Sequence, residues 1–274
     1  MKYSVLMSVY AKERPERLRA SVESMTGQTV PPDQLVLVLD GPLPAGLRAE
    51  VDRLADEYRD IFTLVPLAEN GGLGNALREG LGRCRNELVA RMDSDDIAVP
   101  DRMRLQLDMF TRHPELDLVS GAIEEFYDAP GDTGSVRRLP ETQREILEFA
   151  KKRNPFNHQT VVFRKSSVLK AGSYQPFDRL EDYHLWVRML HGGAQARNLP
   201  DVLVHMRTGR EMYMRRGGFK LAAGQARFYR FMYKIGFIPL GTYLEMALLR
   251  FCLAAAPAKL RSFLYRKIAR ENRA

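Results

Sequence analysis

A chain of 274 residues, 45% hydrophobic and 28% charged, has the length and composition of a soluble globular protein with one large domain or a domain plus an appendage. Cys84 and Cys252 are its only cysteines, which excludes a disulfide framework and a thiolate metal site and points to a reducing compartment. The net charge of +8 is uneven: Met206 to Ala274 carries 15 Lys/Arg against three Asp/Glu, so that end favours an anionic partner, while residues 1–205 carry 27 against 31.

No long apolar run follows Lys2, so no signal peptide is expected. In the most apolar stretch, Ile235 to Ala256, Glu245 and Arg250 leave no uncharged run near the ~18 residues of a membrane-spanning helix.

Along the chain, Ser4–Val9 reads as a strand, and Pro15 opens a helix with Leu18, Val22 and Met25 on one face. Leu35–Leu39 is a second strand, stopped by the turn signal Asp40-Gly41-Pro42. Leu47, Val51, Leu54 and Tyr58 recur at helical spacing, and Ile61–Leu67 is a third strand. After Asn70-Gly71-Gly72 a helix carries Ala76, Leu77, Leu81 and Cys84 inward, and Glu87–Met92 is the fourth strand. Pro100–Arg112 predicts a helix, Leu116–Tyr127 a strand, Ala129–Ser135 a Gly-rich loop and Pro140–Arg153 a helix. A strand at Gln159–Arg164, a helix at Glu181–His191 and a strand at Asp201–Met206 follow. Beyond Thr208 only helices are expected, which places a boundary near 208. Such alternation implies an α/β fold with a mainly parallel, Rossmann-like central sheet and helices on both faces, and ligands at the carboxyl ends of the strands. Asp40 and Asp93–Asp96 fall at such ends.

Three acids in Asp93-Ser94-Asp95-Asp96 suit a hard divalent cation, Mg²⁺ or Mn²⁺, which takes carboxylate oxygens. They are equally compatible with capping: Asp96 and Asp101 could cap the helix near Pro100, and Glu181-Asp182 the helix bearing Trp186. The five histidines lack zinc-like spacing.

Six motifs in one order carry a resemblance over about residues 2–207. They are Val5-Leu6-Met7-Ser8-Val9-Tyr10; Leu37-Val38-Leu39-Asp40-Gly41; Asn70-Gly71-Gly72 running to Gly80; Arg91-Met92-Asp93-Ser94-Asp95-Asp96 with Pro100-Asp101-Arg102; Asn154-Pro155-Phe156-Asn157-His158; and Glu181-Asp182-Tyr183-His184-Leu185-Trp186-Val187-Arg188. Together they resemble the family 2 inverting glycosyltransferases. The resemblance implies a GT-A fold over residues 1–207, a nucleotide-sugar donor and a divalent cation. It places Ser8 and Tyr10 against the nucleotide base, where an aromatic ring offers a face for stacking. Asp40 would accept from base or ribose, although Leu39 stands where many relatives have a second acid. Asn70 and Arg78 would lie on the nucleotide side, Asp93 on the ribose or the metal's water, and Asp95 on Mg²⁺ or Mn²⁺. Asp182 would be the general base beside Glu181, with His158 near the diphosphate and acceptor. UDP is the expected nucleotide because it is the commonest in that family. The acceptor would be a glycan, or a lipid-linked glycan of a cell-surface polysaccharide.

The resemblance fades at 208–274, where basic residues such as Arg215, Arg216, Lys220, Arg227 and Arg230 interleave with Tyr213, Phe219, Phe228, Tyr229 and Phe231. Basic, aromatic helices suit an anionic membrane surface, which implies a cytoplasmic protein attached peripherally to the inner face; the alternative is an appendage packed on the catalytic domain. No nucleic-acid partner is expected, and a homo-oligomer is left open. A sugar-phosphate nucleotidyltransferase would need a Gly-rich phosphate loop where Tyr10-Ala11-Lys12-Glu13-Arg14 stands. A non-enzymatic basic module binding lipid or nucleic acid would leave Asp93, Asp95 and Asp182 without a purpose.

Overall fold

The computed structural model describes residues 1–177, 179–209 and 219–255. The first four apolar runs become strands β1 (Tyr3–Val9), β2 (Gln34–Leu39), β3 (Phe62–Pro66) and β4 (Leu88–Arg91), joined by helices α1 (Pro15–Thr26), α2 (Ala45–Glu57) and α3 (Leu73–Arg83). All pair in parallel, in the order β3-β2-β1-β4. Alternation along the strands sorts their side chains: Val5, Met7, Leu35 and Leu37 join a core with α1 and α2, while Leu6, Val36 and Val38 join one with α3. Gly80 lets α3 lie close on the sheet, since a Cβ there would sit 2.5 Å from side-chain carbons of both Leu6 and Val38.

The second half is more mixed than the pattern predicts. β5 (Ile97–Ala98), α4 (Arg102–Arg112), β6 (Leu118–Phe126), β7 (Ser135–Arg137) and α5 (Gln143–Ala150) lead to a 3₁₀ turn at His158–Thr160. Then come β8 (Val162–Arg164), α6 (Lys165–Lys170), α7 (Glu181–His191) and β9 (Ala196–Arg207). β8 pairs antiparallel with β4 and with β6, which joins the two halves into one sheet; β6 and β9 are parallel, and β7 and β5 add antiparallel edges. The expected GT-A-like α/β architecture thus holds, with the parallel part confined to β1–β4 and the β6–β9 pair.

Several boundaries move for identifiable reasons. The expected strand at Gln159–Arg164 begins as the 3₁₀ turn, because Thr160 turns its hydroxyl back onto the carbonyl of Asn157 at 2.9 Å. The loop at 129–135 yields β7 at its end, and α5 starts only at Gln143 because Thr142 and Glu145 form a capping box. β9 is longer than predicted, since its polar first half pairs with β6 rather than relying on its own apolar pattern.

Two helices follow the sheet, α8 (Phe219–Lys234) and α9 (Leu240–Ala255). Phe228, Tyr229 and Met232 of α8, with Ile238 and Met246, bury themselves against Tyr183 and Val187 of α7. Tyr229 donates to the Lys152 carbonyl at 2.7 Å, and Lys152 pairs with Glu245. These helices are therefore packed on the element that carries Glu181 and Asp182. Among the described residues no helix is long and apolar enough to cross a membrane.

Candidate active site

β1 ends with half-buried Ser8 and, one residue past it, Tyr10, whose ring is 45% exposed and free to offer a face. Asp40 follows the last residue of β2 and is buried. Its two carboxylate oxygens accept from the backbone N–H groups of Gly71 (2.8 Å) and Gly72 (3.1 Å), while the Asn70 amide donates to its carbonyl. Asp40 thus clamps the 70–72 turn beside the strand ends, and each oxygen retains a second lone pair for a ligand. Gly41 makes the clamp possible: at φ +86° it turns the chain, and a Cβ there would lie 2.7 Å from the Asn70 nitrogen. Arg78 is exposed on α3 and reaches Asn75 and Glu79.

Past β4 the acidic cluster divides its labour. Asp93 is half-buried and bonded to the Arg91 guanidinium, and Ser21 holds its carbonyl at 2.6 Å. Ser94 is buried and donates to Glu13 at 2.9 Å. Asp96, fully buried, accepts from the backbone of Arg207 at 2.8 Å, locking β9 to this turn. Asp101 occupies the N-cap position of α4, but its carboxylate bonds Thr29 and Arg104 rather than the helix. Capping therefore does not account for Asp96 or Asp101. Burial pushes the Asp95 carboxyl up to about 7, reinforced by the charges of Asp93 and Glu13.

Such a concentration of partly desolvated negative charge fits a divalent cation held by Asp95 with Asp93 beside it. Among the described residues no three His, Cys, Asp or Glu side chains converge as a complete cage, so a cation here would take its other ligands from water and from a diphosphate, as Mg²⁺ does in phosphate-handling sites.

Asp182 sits in the first turn of α7, whose N-cap is Leu180 without a side-chain cap bond. It is half-buried, and Asn154 donates to it at 2.6 Å. Burial raises its pKa, against the Asn154 hydrogen bond and the charge of Arg91. Glu181 lies against the first turn of α3, where a Cβ on Gly74 would stand 2.8 Å from its Cγ. His158 bonds Tyr174 at 3.1 Å, with its ring 5.9 Å from that of the fully buried Trp186. Burial, with Arg91 nearby, holds His158 well below its usual pKa, so it is neutral. His184, given no role by the sequence, is buried against Phe177 and Phe231.

The structure brings Asp93, His158 and Asp182 together around Arg91, whose charge bears on all three. Arg78 and Asn70 stay on the rim beside the Asp40 clamp. Sequence reading passed over Arg91, Arg102, Gln106 and Asn154 as separate functional residues. Arg102 is fully buried and donates to the Arg91 carbonyl at 2.8 Å, and Gln106 ties the carbonyls of Val119 and Thr160 together at 3.0 and 2.8 Å. The available signal was a charge closing the apolar run Leu88-Val89-Ala90, where a strand buried on both faces has no place for one.

A model of the family described as glycosyl transferase family 2 matches residues 4–176. The amylovoran biosynthesis glycosyltransferase AmsE of Erwinia amylovora is 42% identical over 268 residues, covering 97% of this chain and 98% of that protein. An Escherichia coli UDP-Gal:α-D-GlcNAc-diphosphoundecaprenol β-1,3-galactosyltransferase is 35% identical over 271 residues, covering 98% and 97%. In fold, the chain is similar to the mannosyltransferase PcManGT of Pyrobaculum calidifontis, solved with GDP-Man and Mn²⁺ (TM-score 0.66, 17% identity, 98% of this chain and 79% of that one). It is also similar to S. aureus TarS 1–349 solved with UDP-GlcNAc (TM-score 0.61, 16% identity, 95% and 69%). With a match over well over half its length and full-length relatives at this identity, the chain belongs to glycosyl transferase family 2 and is a glycosyltransferase.

Proposed function

We propose that the protein transfers a sugar, with inversion at the anomeric carbon, from a UDP-sugar to a lipid-linked glycan during assembly of a cell-surface polysaccharide. The observation that carries this is Asp182: a half-buried carboxylate held by Asn154, set across Arg91 from the Asp93–Asp95 turn at the strand ends. Inversion needs one base and no enzyme nucleophile. The acceptor hydroxyl oxygen bonds the anomeric carbon as the bond from that carbon to the diphosphate oxygen breaks. The hydroxyl proton passes to Asp182, and the nucleoside diphosphate leaves with the bonding pair.

Ser8, Tyr10, Asp40, Asn70, Arg78 and Asp93 form the nucleotide side; Asp95 is the residue that would hold Mg²⁺ or Mn²⁺, with Glu181 and His158 on the acceptor or diphosphate side. A bound divalent cation supplies charge neutralisation for the departing diphosphate. The full-length E. coli relative is named for a UDP-sugar donor and a diphosphoundecaprenol-linked acceptor, which supports both choices, and the Mn²⁺ in the mannosyltransferase structure supports the cation.

A lipid-linked acceptor also gives residues 208–274 a task as the membrane-facing part, peripheral to the inner face. α9 turns Met246 into the core and leaves Leu240, Leu244 and Leu248 outward at 50%, 56% and 64% exposure, an i, i+4, i+8 stripe beside the basic chain end.

The test is transfer from a panel of UDP-, GDP- and dTDP-sugars to a polyprenyl-diphosphate-linked sugar, with Mn²⁺ or with chelator, and the anomeric configuration of the product read by NMR. Inverted product from a UDP-sugar in the presence of Mn²⁺ is expected. A retained configuration, or equal turnover in chelator, would sink the reading.

A further inference from the structure

Arg91 closes β4, the last strand of the parallel half, and is 1% exposed. Its backbone N–H bonds the Val161 carbonyl at 2.9 Å, so the residue sits where the two halves of the sheet are joined. One guanidinium nitrogen, Nη2, meets Asp93. The other two, Nε and Nη1, are buried without a hydrogen-bond partner. A guanidinium kept for stability would be bonded at each nitrogen, because a buried unmet donor is costly and an apolar side chain of similar volume often serves a core as well. The residues around this cation are those of the reaction. Asp93 faces it from the donor side; His158, Tyr174 and Asp182 face it from the acceptor side.

We propose that Arg91 is a positioning residue that acts through its charge, a single buried cation beneath both halves of the site that keeps Asp182 ionised for proton abstraction while fixing Asp93. The inference rests on Asp182 being the base. Asp182 is faced by Arg91 of β4, by Asn154 before the 3₁₀ turn, and by Tyr174 from the segment before α7, with Glu181 next to it in the chain. Asn154 is neutral, and burial raises the Tyr174 phenol out of the working range, so neither offsets the cost of burying the carboxylate as a full charge does. The same cation disfavours protonation of His158, which leaves that ring neutral in its bond to Tyr174.

The test compares R91K, which keeps the charge and loses the fork, with the neutral R91M and R91Q. kcat is measured against pH at saturating donor, acceptor and Mn²⁺. Removing the cation raises the Asp182 pKa, so the acid limb of the profile should move to higher pH. The expected shift is about one to three pH units in R91M and R91Q, with the loss at low pH recovered as pH rises. R91K should keep the parent limb with a smaller fall in rate. Circular dichroism and thermal melts establish which variants fold. A folded neutral variant with the parent limb would overturn the proposal. So would failure of both neutral variants to fold while R91K folds, since that assigns Arg91 to structure alone. D182N separates the two readings: if it remains active, the base assignment fails. If it is inactive while the limb ignores Arg91, only this inference fails.

Discussion

Asp40, Asp93 and Asp95 follow parallel strands whose order in the sheet is set by neighbouring β-α-β units, and each arrives at the site by continuing its own strand. Asp182 and His158 arrive differently. They come from the first turn of α7 and from the 3₁₀ turn before β8, and reach the same cation only because β8 inserts antiparallel between β4 and β6. The donor side is thus built by local chain geometry, and its acids stay in place as long as the strands do. The acceptor side depends on long-range closure, on Asn154 and Arg91, and on the packing of α8 against the far side of α7. A rigid nucleotide platform faced by a separately assembled base lets acceptor preference change without rebuilding the donor pocket.

Asp182→Asn tests that division most strongly. It keeps the shape and removes the base, so kcat should fall by ~10²–10⁴ while nucleotide affinity stays within about twofold. A parallel loss of nucleotide binding would show that the two sides are not separable.

Asp95→Asn should do the reverse and remove the Mn²⁺-dependent part of nucleotide binding, as chelator does to the parent. The pH dependence follows in sign. Only the ionised Asp95 binds a cation, and its carboxyl is pushed up to about 7, so Mn²⁺ affinity should weaken as pH falls below about 7 and level off above it. Calorimetry in two buffers of different ionisation enthalpy reads the proton released; no release at pH 6 would remove Asp95 from the metal site.

A smaller effect is expected at the Asp40 clamp. Gly41→Ala forces a Cβ against the Asn70 nitrogen at a positive φ, which costs about 1–3 kcal/mol of stability and displaces the 70–72 turn. Nucleotide affinity should fall with little change in the kcat of saturated enzyme, read by a thermal melt and a donor titration. A fall in kcat alone would place this loop on the acceptor side.

The mildest is Leu244→Glu on the outward stripe of α9. Burying a leucine contributes roughly 1.5–3 kcal/mol, so binding to anionic vesicles should weaken about tenfold or more, with transfer to a water-soluble acceptor unchanged. Added salt should weaken the parent's binding without abolishing it, because screening over about 8 Å acts on charges and not on apolar contacts. Full-length protein that stays in the supernatant with anionic vesicles at low salt would leave the helices as a packing element only.

The donor side was legible in the sequence because its information is local. An apolar run of strand length, a turn signal and an acid place Asp40 and Asp93 at strand ends without knowledge of any partner, and the glycines at 41 and 72 mark where the backbone must turn at positive φ. The motif order carried Asp182 and His158, but through resemblance; their own residues read equally well as a helix start and a core histidine. Tertiary structure alone decided that β8 runs antiparallel, that polar Ala196–Arg207 becomes a full strand, and that α8 packs on the helix carrying Asp182. It also decided which of four neighbouring acids does what, since Asp96 is bound to β9 and Asp101 to Thr29, leaving Asp93 and Asp95 for the site. The physical reason is reach. Periodicity and turn chemistry act over a few residues, whereas the burial of Arg91 and the pairing of its neighbours are set by strands far apart in the chain, and charge acts through space with no trace in spacing.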